Sequence, residues 1–91
     1  MDVFQWDAAN TEHLQRHGVS TKEFEQAMNG PAVDLECEDA DGELRYHTVG
    51  ATNTGRLLYM VWTMRGQEVR AVTAFKAGPL ATKAWKERIA Q

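Results

Sequence analysis

Apolar and polar positions change period about a third of the way along the chain. Between Asp7 and Asn29 the apolar residues recur every three or four positions, which is helical spacing. Between Ala32 and Lys76 they alternate or run together, which is the pattern of strands. The opening "DVFQW" reads as a short first strand. Asp7 then serves as an N-cap, its carboxylate accepting from free amides of the next turn, for a helix from Ala8 to His17. Gly18 suits the left-handed position that ends a helix. "STKE", residues 20–23, is a capping box that starts a second helix, with Phe24, Ala27 and Met28 on its apolar face. "NGP", residues 29–31, stops it.

The strands follow. "AVDLECE" places Ala32, Asp34, Glu36 and Glu38 on one side and Val33, Leu35 and Cys37 on the other. "DADG" is a turn, "LRYHTVG" a strand and "ATNTG" a loop. "RLLYMVWTM" is apolar enough for a central strand, and "RGQE" offers Gly66 first in a two-residue hairpin loop. "VRAVTAFK" returns beside it. After "GP" at 78–79, "LATKAWKERIAQ" forms a closing amphipathic helix with Leu80, Ala84, Trp85 and Ile89 or Ala81 inward. The order β-α-α-β-β-β-β-α predicts an α+β fold, an antiparallel sheet with helices packed on one face. At 91 residues, a single domain spanning 1–91 is expected.

Hairpin register sorts the chemistry. With Gly66-Gln67 as the loop, Arg65 faces Glu68, and alternation puts Leu57, Tyr59, Val61, Thr63 and Arg65 opposite Lys76, Ala74, Val72, Arg70 and Glu68. The reverse side, with Leu58, Met60, Trp62 and Met64 against Phe75, Thr73, Ala71 and Val69, is a core face under the helices. The first side sets cations on a floor of small residues. There Arg70 forks onto a phosphate, Lys76 adds a point charge, and Tyr59 stacks on a base or donates a hydrogen bond. A merely solvated sheet face has the same composition. Arg45 and His47 share one side of their own strand.

Charge is unevenly spread. Net charge is −3 for the whole chain, −3 over residues 1–33, −6 over 34–43 and +6 over 44–91. A local positive patch holds phosphates whatever the total, unless the acidic segment folds against it. One cysteine, Cys37, excludes an internal disulfide, reads as a buried or spectator thiol, and fits the reducing cytoplasm. "MDVFQWD" is no signal peptide, and the apolar run Leu57 to Trp62 is too short to cross a bilayer.

His13 and His17 lie four apart on a stripe with Asn10 and Leu14. The zinc-protease motif needs glutamate directly after its first histidine, where this chain has Leu14, and no third ligand is evident, so no metal site is expected. His17, in the last helical turn, instead suits the terminal carbonyls and the dipole, while Asn10 bonds nearby backbone. A general-base role for either histidine is secondary.

"FQWDAANTEHLQRHGVSTKEFEQA", "RYHTVG" and "GRLLYMVWTMRGQEVRAVTAFKA" together resemble the BrnT-like toxins of bacterial type II toxin–antitoxin pairs, from about Phe4 to Ala77. The specific pieces are Asn10, "HGVS" at 17–20, "GR" at 55–56, Thr63, Arg65 and Gly66, Arg70, Ala74 and "KA" at 76–77. The resemblance implies a RelE-like fold and metal-independent endoribonuclease activity without a cofactor. Its implied partners are RNA and a cognate DNA-binding antitoxin, with no membrane, and either a homodimer or a toxin–antitoxin hetero-oligomer. Arg45, Thr63, Arg65, Arg70 and Lys76 match places where that family keeps polar or basic residues. On this reading Arg70 and Arg45 clamp the phosphate, Lys76 stabilises charge or moves a proton, His47 is the acid or base, and Tyr59 positions a nucleobase. "TAFKA" departs from the family's "SARKA", with Phe75 in place of arginine. An inactive interaction module of the same fold is the alternative, and a hydrolase built on His13 and His17 would contain zinc.

Overall fold

The computed structural model describes residues 3–89. It contains β1 (Val3–Gln5), α1 (Ala8–Arg16), α2 (Thr21–Asn29), β2 (Ala32–Ala40), β3 (Glu43–Ala51), β4 (Leu57–Arg65), β5 (Glu68–Lys76) and α3 (Pro79–Ile89). The order is the expected one; Asp2 of the first strand and Ala90 and Gln91 of the last helix lie outside the described residues. The sheet runs β1-β5-β4-β3-β2. Its last four strands form an antiparallel meander, and β1 adds parallel to β5, a pairing across more than sixty residues that local patterning does not encode.

The helix starts are set locally. Asp7 accepts from the Asn10 amide while the Asn10 side chain accepts from the Asp7 amide, and Ser20 and Glu23 make the same reciprocal pair. Asn10 is buried, and its Nδ2 donates to the Gln5 carbonyl, tying α1 to β1. Gly18, at φ 71°, makes the left-handed turn between the helices. The Arg56 guanidinium closes that turn by donating to the Gly18 carbonyl and to Glu23. Leu14, Val19, Phe24 and Ala27 then meet Leu58, Met60, Val69, Ala71 and Ala74 in one core, with Phe4 and Trp6 packed edge-on against Phe24.

Two capped acids make the fold acid-sensitive. A hydrogen bond from Arg70 holds the Asp7 carboxyl below its ordinary value of 3.8, and the Ser20 amide, then Arg56, holds Glu23 below 4.5. Their stabilising contribution is complete above those ordinary values and is lost as pH falls through the lowered folded-state ones. Melting temperature should therefore fall on acidification below about pH 4, and Glu23→Gln should flatten that slope while lowering stability at neutral pH. A scan of melting temperature against pH for both proteins checks the sign.

Register departs from expectation at two one-residue bulges. Between β4 and β5 the expected pairs hold from Arg65↔Glu68 to Trp62↔Ala71, after which Val61 pairs with Thr73, leaving Val72 unmatched. Beyond that point every β5 side chain changes face. Phe75, expected in the core, lies across from Tyr59 on the other side, and Lys76 lies across from core Leu58. The expectation that Arg70 and Lys76 project together is thus corrected: they point to opposite faces. In β2 the slip falls between Asp34 and Glu36. Asp34 pairs with Thr48 on the α2 side, whereas Glu36 and Glu38 join Val33 on the opposite side, so the expected partition of this strand is corrected too.

Helices α1 and α2 share one face of the sheet. α3 lies against β2 and β3, where Trp85 donates to the Pro31 carbonyl and the paired Val33 and Val49 are buried on the side away from α2. Within α3, Ala81, Ala84 and Trp85 are half-buried, but Leu80 is 85% exposed and Ile89 is exposed as well. Leu80 had been expected inward; of the alternatives Ile89 or Ala81, it is Ala81 that turns in.

Candidate functional site

The outer face of the sheet, turned from α1 and α2, carries side chains in rows across the strands, polar at the hairpin end and apolar toward α3. Glu68 and Arg65 pair in the first row and Arg70 and Thr63 in the second. Thr73, Val61, His47 and Glu36 form the third, and Phe75, Tyr59, Val49 and Val33 the fourth. Arg45, two residues before His47 and paired with Glu38, extends the second row.

Where α1 borders β5, a cleft of about 240 Å³ opens on this face. Arg45, Arg65, Arg70 and Thr63 line it together with Glu43 and His13. Four of the sequence-predicted residues thus converge. Thr63 is buried at the floor and spends its hydroxyl on the Leu44 carbonyl. Arg65 forks onto one oxygen of Glu43, at 3.2 and 2.9 Å. Arg70 donates to Gln5 and, at 2.8 Å, to Asp7, which fixes its guanidinium against the start of α1. Arg45 Nε is itself buried and lies 3.5 Å from Glu43, an ion pair just longer than a hydrogen bond, while its side chain as a whole is partly exposed. Three guanidinium groups and one carboxylate, Glu43, line the cleft; Glu43 pairs with Arg45 and Arg65, and Asp7 pairs with Arg70.

Beside the cleft, His47 is held from both sides. Its Nδ1 is 2.6 Å from the Tyr59 hydroxyl and its Nε2 is 2.9 Å from Glu38. Burial, then the charges of Glu36 and Glu38, pushes the Tyr59 phenol above its ordinary value, so the hydroxyl keeps its proton. Glu38 can only accept, so Nε2–H donates to it, and a neutral His47 ring then accepts from the Tyr59 hydroxyl at Nδ1. The Tyr59 ring is stacked on Phe75 at 5.1 Å and 8°, so one of its faces is taken.

Sequence reasoning kept His13 only as a secondary general base and left it out of the site residues; the cleft includes it. His13 Nε2 reaches Thr73 Oγ1 at 3.1 Å, and its ring lies 5.4 Å from that of His17, which sits over Phe75 at 6.1 Å. The i, i+4 spacing was the available signal; the β5 bulge, which turns Thr73 and Phe75 toward the two rings, was not readable. His17 ends α1 as its C-cap, but its ring contacts are with His13 and Phe75 rather than with terminal carbonyls. Lys76, exposed on the opposite face, does not join the cleft. No three His, Cys, Asp or Glu side chains among the described residues are placed to hold a metal ion.

A model of the ribonuclease toxin BrnT of type II toxin–antitoxin systems matches residues 6–79. The chain belongs to that family. A search of curated proteins finds no match. The BrnT match spans α1 through β5, and so includes every residue that lines the cleft. Among the described residues no helix is long and apolar enough to cross a membrane.

Proposed function

We propose that this BrnT-family chain is an endoribonuclease that cleaves single-stranded RNA by attack of a ribose 2′-hydroxyl on the adjoining phosphate, without a catalytic metal. The observation that carries the reading is the convergence of the three arginines Arg45, Arg65 and Arg70 on one cleft. Guanidinium forks match phosphate oxygens and stabilise the extra negative charge of the pentacoordinate phosphorane without reorganising. In the step proposed, a bond forms from the 2′-oxygen to phosphorus and the bond to the 5′-oxygen breaks. Tyr59 takes the 2′-hydroxyl proton as it passes its own to His47 Nδ1, and Glu38 holds the resulting imidazolium, the logic of a carboxylate–histidine relay. His13, on the α1 side of the cleft, gives a proton to the leaving 5′-oxygen. The products are a 2′,3′-cyclic phosphate and a 5′-hydroxyl. Lys76 is left outside this scheme because it faces the other way.

A toxin of this kind acts in the cytoplasm and is held in check by a cognate antitoxin that also binds DNA, in a toxin–antitoxin hetero-oligomer. The purified chain should cut a single-stranded RNA equally well with and without a metal chelator, leave cyclic-phosphate ends, and spare the 2′-deoxy analogue. A requirement for divalent cation rejects the metal-free step. Inactivity of folded protein on RNA and on ribosomes favours the interaction module of the same fold.

A further inference from the structure

We propose that Phe75 is a nucleobase platform: it stacks the base of a nucleotide next to the phosphate held in the arginine cleft. This rests on the ribonuclease reading and names how that site grips its substrate. A Phe at the end of an apolar strand would ordinarily be buried, and the β5 bulge prevents it. The ring instead stands on the same outer face as the cleft and is 37% exposed. Its orientation is fixed from the β4 side, because it stacks nearly parallel on its cross-strand partner Tyr59, whose hydroxyl is pinned to His47. His17 approaches from the α1 side. A partly exposed ring held between Tyr59 and His17 has already lost much of the freedom that binding a base would remove.

Position supports the assignment. Tyr59 and Thr63 are four residues apart on β4, about 13 Å of strand. The platform is therefore one to two extended nucleotides from the clamp. His13 spans the interval, since it lines the cleft and bonds Thr73, while the neighbouring His17 contacts Phe75. A strand of RNA crossing the face from Arg70 toward Phe75 passes over Val61 and the His47–Tyr59 pair. Every base has a flat face, so this contact favours unpaired RNA and tolerates sequence. Tyr59 itself, with one ring face covered by Phe75, is not the exposed stacking ring; its hydroxyl keeps the proton-transfer role toward the 2′-hydroxyl and His47.

A double-mutant cycle tests this. The probes are a 2′-O-methyl tetranucleotide, which cannot be cleaved, and copies with one base removed at each position in turn. Wild-type protein should lose about tenfold in affinity for one of the abasic copies. Phe75→Ala should bind the intact probe about tenfold more weakly and be indifferent to that same abasic position, whereas Phe75→Trp should keep the wild-type pattern. Equal abasic penalties in wild type and Phe75→Ala, or no penalty at any position, overturn the platform, and RNA cleavage measured on the same preparations shows whether the nuclease reading survives. Wild-type protein that neither binds the probe nor cuts RNA overturns both.

Discussion

Arg45→Ala should lower the rate of RNA cleavage by about a hundredfold to a thousandfold, as loss of one preorganised charge donor does elsewhere, with little effect on the fold. Arg45 is the cleaner of the two clamp residues to remove. Its ion-pair partner is Glu43 at 3.5 Å, and its side chain is partly exposed. Truncating a pair of this kind on a surface shifts the melting temperature by no more than about 4 °C. Arg70→Ala should show a similar fall in rate but also a lower melting temperature, because Arg70 holds Gln5 of β1 and the N-cap Asp7 of α1. Arg70→Lys separates the two roles: it keeps the charge near Asp7 and loses the fork. Cleavage rates and thermal melts of all three variants decide the matter. A stably folded Arg45→Ala protein that cuts RNA at the wild-type rate removes the clamp from the mechanism.

What the sequence made legible, and what it hid, divide along a physical line. Caps and turns are decided within a few residues, so Asp7, Ser20 to Glu23, Gly18 and Gly66 declared themselves. Thr63, Arg65 and Arg70 were also legible, because their pairings lie on the turn side of the β4–β5 slip, whereas the register of the Arg45 strand against β4 depends on a loop that the pattern does not fix, and Arg45 was singled out only by the family resemblance. The bulges were not legible. "RAVTAF" alternates acceptably in either register, since Ala71, Val72, Thr73 and Ala74 are all small or β-branched and none insists on a face. One unmatched residue then exchanged Phe75 for Lys76 on the outer face and moved the second cation out of the site. The same event brought Thr73 under His13. Bulges cluster beside active sites, where they re-aim side chains, and this pair of slips builds half of the candidate site. The exposed Leu80 failed for another reason. A helix end has one fewer turn to be covered by, so helical periodicity overstates burial there.

Gly50→Ala should be the most damaging small substitution in the sheet, destabilising the fold by about 3 kcal/mol or more. Gly50 lies in β3 opposite Leu58, directly beneath α2. A Cβ there would overlap the Ala27 carbonyl oxygen, come within 2.9 Å of the Ala27 carbonyl carbon and press on Met60 Cε at 3.1 Å. The obstacle is helix backbone, fixed in turn by Ala27 and Phe24 in the core, so no side-chain rotation relieves it. α2 must lift, and with it the layer that seals Leu58 and Met60. A chain of this size has about 5–14 kcal/mol to lose, so the melting temperature should drop by more than about 10 °C. Gly78→Ala is the matched control, because nothing stands within 4 Å of a Cβ at that position. It should melt within about 4 °C of wild type. Thermal melts of the two variants test the close contact between β3 and α2 directly, and a Gly50→Ala protein as stable as the Gly78→Ala control would show that α2 does not lie on the sheet as described.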